Sequence, residues 1–195
     1  MLLALDPGAN SPGVALFDNG RLLAADRVSG SAYKDWEDGQ RWLGVARSIV
    51  DFVQIASPQW PVTGVVFERP QWYAKAKSKG DPNQLAGIAG VAANVTGILS
   101  CYFRSLVVQS PTPAEWIGQL PKTCPACHAN KKKCPECRGS AWNTPRGRRI
   151  RSRLTPAELA LVPDQNDAID ACGLGLFKLG RLTPRSTLSN GRDGR

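Results

Sequence analysis

Hydrophobic positions follow two rhythms along the chain. Leu2-Leu3-Ala4-Leu5 is a short continuous apolar run that stops on a single carboxylate, Asp6, which is the pattern of a buried strand. Pro7-Gly8 and a small polar loop follow, then apolar runs at Gly13–Phe17 and Arg21–Val28. Asp18-Asn19-Gly20 between these two is a hairpin signal, so the chain is expected to open as three antiparallel strands. Over Trp36–Ala56 the rhythm becomes helical, with Trp42, Val45, Ala46, Ile49, Val50 and Val53 on one face and an end near Ser57-Pro58. Val62–Glu68 is a further buried strand, and it too ends on one acid, Glu68. Strand, crossover helix and strand make a parallel pair of right-handed crossover. That arrangement brings Asp6 and Glu68 to the same edge of a sheet.

The second half is more interrupted. Arg69–Gln84 is polar, aromatic and basic and reads as a loop, and Leu85–Phe103 is a helix rich in Ala and Gly. Leu106–Gln109 is a short fourth buried run. Thr112-Pro113-Ala114-Glu115 and Thr155-Pro156-Ala157-Glu158 each carry a helix start: cap, N1 proline and capping-box glutamate. Asp164–Leu179 predicts a last helix, and Arg181–Arg195, rich in Gly, Ser and Arg, predicts a disordered basic tail. The expectation is one α/β domain over 1–180, with an insertion at 121–140.

Composition narrows the partners. At 42% apolar residues in 195 the chain is globular rather than disordered. No apolar run is expected to reach the roughly 18 residues of a membrane span. Met1 leads straight into a strand with no secretory signal, so a cytoplasmic location is expected. The net charge is +9, and Lys122–Arg153, with ten basic residues against Glu136, carries all of it. So local an excess suggests a polyanion, nucleic acid above all; the alternative is a solvated face. His128 is the single histidine and lies within a cysteine cluster, which argues against histidine-based catalysis.

Four acids sit at polar ends of apolar elements: Asp6, Glu68, and Asp167 with Asp170, which share a helix face at i, i+3. Such a cluster repels itself and raises its own pKa values. Divalent metal removes the conflict, and oxygen-only ligands favour Mg²⁺ or Mn²⁺. Two such ions roughly 4 Å apart are the common apparatus of phosphodiester hydrolysis. Each acid also has a structural reading. Asp164 suits an N-cap with Asp167 at N3, Asp6 a turn before Pro-Gly, and Glu68 a pair with Arg69.

Cys124-Pro-Ala-Cys127 and Cys134-Pro-Glu-Cys137 are two knuckles six residues apart. Four soft ligands at this spacing fit one tetrahedral, structural Zn²⁺. Cys101 and Cys172 read as buried core residues.

The ordered set LALDPG…GVALF, VVFERP and DAIDACGLGL resembles the RuvC-type Holliday-junction resolvases of the RNase H-like superfamily. The resemblance implies an RNase H-like fold, a five-stranded mixed sheet with helices on both faces. It implies Asp6, Glu68, Asp167 and Asp170 as the catalytic set holding two Mg²⁺ or Mn²⁺, and a homodimer that nicks branched DNA symmetrically. It implies an aromatic, Trp72 or Tyr73, stacking at the junction centre, with Lys75, Lys77 and Lys79 on phosphates; Trp72 folded onto the core is the alternative. Arg146, Arg148, Arg149, Arg151 and Arg153, with the zinc loop, read as a clamp on the DNA backbone. The zinc module departs from cellular resolvases and is similar to one in transposon-encoded RNA-guided nucleases, but this chain is too short to add guide-RNA-binding domains. A phage or mobile-element origin would suit so compact a chain. Nucleases for flaps, forks or single strands, and a non-catalytic zinc-dependent DNA-binding protein, are the alternatives.

Overall fold

A computed structural model describes residues 1–8, 10–59, 61–70, 82–102, 105–118, 120–128 and 130–183. In chain order the elements are β1 (Leu2–Asp6), β2 (Gly13–Asp18), β3 (Arg21–Arg27), α1 (Asp38–Ala56), β4 (Gly64–Phe67), α2 (Pro82–Tyr102) and β5 (Val107–Gln109). The short helices α3 (Pro113–Trp116), α4 (Pro145–Arg151) and α5 (Pro156–Leu159) then precede α6 (Asn166–Lys178). The strands form one sheet in the order β3-β2-β1-β4-β5. β1–β2 and β2–β3 are antiparallel, β1–β4 and β4–β5 parallel. Asn19 and Gly20 have φ of 46° and 80°, the two positive values that a tight type I′ hairpin turn requires.

The pleat assigns the layers, because successive side chains leave a strand on opposite faces. Leu3, Leu5, Val14, Leu16 and Val65 meet Val45, Ile49 and Val53 of α1 and Val91, Val95 and Leu99 of α2. Ala4, Ala15, Phe17 and Val66 point the other way, into a core with Trp116, Ile150, Ile169, Leu174 and Leu176. The sheet is thus covered on both faces. The α6 face is built for close approach. A Cβ on Gly13 would overlap the Asp167 carbonyl, and one on Gly175 would overlap the Phe17 ring. With alanines at 4 and 15, α6 lies low on β1 and β2, and its acidic first turns come level with the end of β1. Gly90 does the same for the other layer, where a Cβ would strike the Trp42 ring of α1.

Both predicted capping boxes form, at Thr112 with Glu115 and at Thr155 with Glu158. Glu158 does more than cap. It is buried, accepts the Leu22 amide at 3.0 Å and pairs with both ends of the Arg181 guanidinium at 2.7 Å. That guanidinium holds its carboxyl well below the usual range. Arg181, expected to open a disordered tail, instead ties the segment after α6 to the β2–β3 hairpin through the Gly20 carbonyl; residues 184–195 lie outside the described set.

Four further expectations are corrected. The run at 106–109 is not buried: β5 is an edge strand with one neighbour, and Val107 and Val108 are 54% and 41% exposed. Cys101 is exposed rather than buried, because the last turn of α2 points it away from α1 and the sheet, while Cys172 is buried as expected. Asp164 does not cap α6, whose N-cap is Gln165. Its Oδ1 accepts the amides of Ala141 and Trp142 instead and so fixes the segment leading into α4. Lastly, Leu85–Tyr102 is long and apolar enough to cross a membrane by length and composition, with a mean hydropathy of 1.5. Asn94, Thr96 and Ser100 interrupt it, so it holds no unbroken apolar run of that length. Here its inner face packs on α1 and the sheet.

Candidate active site

Parallel pairing of β1 with β4 sets Leu5 beside Phe67, and the Glu68 amide donates to the Leu5 carbonyl at 3.3 Å. Asp6 and Glu68 therefore leave neighbouring strands at the same edge. From the sheet's other face, the low seat of α6 brings Asp170 and Asp167 to that edge. A single nitrogen then joins three of the four acids. Lys122 Nζ donates to Asp6 Oδ2 at 2.9 Å and Asp167 Oδ1 at 3.2 Å and lies 3.0 Å from Asp170 Oδ2. Glu68 stands beside this cluster, and its Oε2 accepts the Trp116 indole N–H at 3.0 Å. Beside the acids lies a cleft of about 180 Å³, walled by Asp6, Glu68, Arg69, Leu85 and Pro113.

The electrostatics are those of crowded carboxylates under a partial roof. Burial, aided by the charges of Asp170 and Glu68, pushes Asp6 up to about 7 despite Lys122. Burial and Asp170 likewise raise Glu68, against the Trp116 hydrogen bond. For Lys122, burial favours the neutral amine, but Asp6, Asp170 and Asp167 outweigh it and hold the ammonium above the usual lysine range. Two arginines complete the balance. Arg146 Nη1 pairs with Asp170 Oδ2 at 2.9 Å and its guanidinium lies over the Trp116 ring, 5.6 Å from the centroid. Arg27 Nε stands 3.4 Å from Asp167 Oδ2.

Arg69 is turned to the Ser110 carbonyl at 2.9 Å and not to Glu68, and the Asp6 carboxylate accepts from Lys122. Three side chains in the site carry no sequence signal of their role: Lys122, Trp116 and Arg146. Arg146, expected among the phosphate contacts, points inward. Arg148, Arg151 and Arg153 are exposed, and with Arg149 the first of them lines a cavity of about 430 Å³ beside Leu120 and Ser152. Lys131, Lys132, Lys133 and Arg138 are exposed on the knuckle. Trp72, Tyr73, Lys75, Lys77 and Lys79 lie outside the described residues.

The two donor sets differ in their fit to metal. Hard oxygen donors from one strand and a helix surround one cationic atom, with Glu68 at the end of a second strand alongside, which is the chemistry a divalent ion of the Mg²⁺ type requires. Their spacing is that of an ammonium, wider than the roughly 2.1 Å of Mg–O bonds, and no three acidic ligand atoms among the described residues gather within 4.8 Å of one another. The cysteines do. All four sulfurs lie within 4.8 Å, with Cys124 and Cys134 at 3.9 Å and Cys127 and Cys137 at 3.7 Å. A tetrahedron with Zn–S bonds of about 2.3 Å has edges of roughly 3.8 Å, so the four-cysteine cluster fits zinc. Burial and the neighbouring thiols push the Cys137 thiol up to about 12. Four thiolates in so small a space call for a cation.

No family model matches the sequence, and no curated protein matches it either. Solved structures do. A Thermus thermophilus RuvC structure is 16% identical with a TM-score of 0.50, covering 93% of this chain and 98% of that one. A second, T. thermophilus RuvC in complex with Holliday junction substrate, is 12% identical with a TM-score of 0.50, covering 93% and 97%. The five-stranded mixed sheet, the helices on both faces and these full-length matches agree: the chain has the RuvC form of the RNase H-like fold, extended by a four-cysteine knuckle.

Proposed function

We propose that the protein is a divalent-metal-dependent, structure-selective DNA endonuclease that cuts four-way or related branched DNA. The observation that carries this reading is the convergence of Asp6, Asp167 and Asp170 on one cationic nitrogen, with Glu68 alongside, at the open edge of the sheet. Asp6, Glu68, Asp167 and Asp170 would hold two Mg²⁺ or Mn²⁺ ions. Bound there, such ions supply a hydroxide nucleophile at neutral pH and stabilise the leaving oxygen. The chain's own part is orientation. Trp116 fixes the Glu68 carboxylate by its indole N–H, and Arg146, stacked on Trp116, fixes Asp170. The exposed arginines of α4 and the lysines of the knuckle supply a basic surface for phosphates, which gives affinity and register but no base preference. Zn²⁺ at Cys124, Cys127, Cys134 and Cys137 is structural in this reading, and the working compartment is the cytoplasm, beside the DNA.

Symmetric nicking needs two sites related by a two-fold axis. The outer face of α2 supports a homodimer: Ala86, Ala89, Ala93, Gly97 and Ser100 are exposed along one stripe, and only 28% of the Leu85–Tyr102 window is buried. Small side chains let such faces approach closely. Nothing lies within 4 Å of a Cβ built on Gly97, so Gly97→Arg is tolerated by the isolated fold. Light scattering after gel filtration should find the wild type as a dimer and Gly97→Arg as a monomer that makes single, unpaired nicks. Equal mass for the two proteins would remove this face from the interface.

The reading itself is tested with labelled four-way junction, flap, duplex and single-stranded DNA in Mg²⁺. Paired symmetric nicks in the junction support it. Cutting of flaps or single strands with no junction preference would assign a different substrate. Binding without cleavage in Mg²⁺ or Mn²⁺ would leave a DNA-binding protein on a nuclease scaffold.

A further inference from the structure

We propose that Lys122 is a built-in cation that occupies the divalent-metal position of the metal-free protein, and that the four-cysteine knuckle holds it there, coupling the two metal sites; this rests on the acid cluster being a metal site. The ammonium sits 2.9–3.2 Å from three carboxylates that come from β1 and from two positions of α6. A hard divalent ion wants the same oxygens at about 2.1 Å. Both cannot be accommodated, so loading requires the ammonium to leave and the carboxylates to close in. Lys122 is therefore a competitor whose local concentration is fixed by its backbone.

That backbone is anchored by the knuckle. Cys124, two residues on, is a member of the sulfur cluster, and its amide donates to Asn130 Oδ1 at 2.8 Å. Asn130 Nδ2 in turn reaches Asn166 Oδ1 at 3.4 Å, at the start of α6 and next to Asp167. Asn130 takes a left-handed φ of 49° to do so. The knuckle thus grips both the segment that carries the lysine and the helix that carries two of its acids. With the grip loosened, the entropy of the 120–123 segment opposes insertion of the lysine, and the acids become easier to load.

Mn²⁺ binding, followed on the zinc-loaded full chain without DNA by the loss of the free-ion electron paramagnetic resonance signal, tests this. Lys122→Met keeps the stem and removes the charge. It is expected to bind Mn²⁺ at least about tenfold more tightly than wild type, a typical size for coupling between two ligands of one site. Lys122→Arg, which keeps the charge, is expected to stay near wild type. In the absence of Mn²⁺, Lys122→Met is expected to unfold at a lower temperature than wild type, and Mn²⁺ to remove that difference. Asn130→Ala, which leaves the lysine intact but cuts the tether, is expected to tighten Mn²⁺ binding severalfold, and it decides the question if Lys122→Met fails to fold. Mn²⁺ affinity in Lys122→Met equal to or below wild type overturns the inference while leaving the acid cluster as a metal site. No Mn²⁺ binding by either protein overturns the inference and the nuclease reading together.

Discussion

Asp6→Asn should nick branched DNA on the order of a thousandfold more slowly than wild type, while binding it at least as tightly. Metal-held charge stabilisation contributes several kcal/mol to such reactions, and about 4 kcal/mol is a thousandfold in rate. Binding gains rather than loses, because one negative charge leaves the face that meets phosphate. The same substitution has a pH-dependent effect on stability that a surface carboxylate would not show. An acid whose pKa rises on folding adds stability below its unfolded value and gives it up as pH climbs through the folded one. For Asp6 that loss runs from 3.8 to about 7. Metal-free Asp6→Asn should therefore match the wild type near pH 4 and exceed it by several degrees in melting temperature at pH 8. Thermal unfolding across this range, beside single-turnover nicking, checks both halves. An Asp6→Asn protein that nicks at the wild-type rate would end the catalytic assignment. One that is less stable at pH 8 would mean that Asp6 is held for the fold.

The two effects have one cause, which is also why part of the site is legible in the chain. Asp6 and Glu68 are visible because each ends a run of buried residues, where an unpaired carboxylate is costly. Asp170 is visible because it opens the apolar stretch Ala171–Leu176 of a helix. Parallel pairing of the two strands then follows from the helix between them. Lys122 has no such mark. It lies 116 residues from Asp6 and 45 from Asp167, in a segment where every lysine looks alike, and only the folded chain selects it. Trp116 reads as one more apolar residue of a short helix, since sequence does not say where an indole N–H points. Arg146 is indistinguishable by pattern from Arg148, yet at α4 positions two residues apart one faces Asp170 and the other faces solvent. Asp164 shows the converse error. Its spacing suits an N-cap, but the chain enters α6 one residue later and the carboxylate is drawn to the Ala141 and Trp142 amides. Local pattern finds elements and their ends; partners distant in sequence are set by how the layers stack.

Removing zinc should produce the largest structural change of any single treatment, and a confined one. The core of the knuckle consists of Cys124, Cys134 and Cys137 with Cys127 packed on them. Among the described residues no aliphatic or aromatic side chain joins them, so hydrophobic burial offers no substitute for the metal. Structural zinc in small Cys sites contributes about 10–16 kcal/mol of binding free energy at neutral pH, and in such sites binding and folding are one step. Among the described residues the two cores flanking the sheet draw none of their buried members from 121–140, so the sheet and its helices should survive. Cys137→Ser, or a zinc chelator, should drop metal content from about one zinc per chain to well below it. It should also unfold the backbone around the lysines at 131–133, which are already exposed, and trypsin should then cut the knuckle faster by roughly a hundredfold or more, as cleavage follows the open population. The far-ultraviolet signature of α1, α2 and α6 should be nearly unchanged. Loss of the grip on Lys122 should tighten Mn²⁺ binding at the acids in the same preparation, linking the two sites in one experiment. A metal-free protein that resists trypsin at 131–133 as well as the untreated one would show a knuckle that stands without zinc, and the anchoring of Lys122 by metal would fall with it.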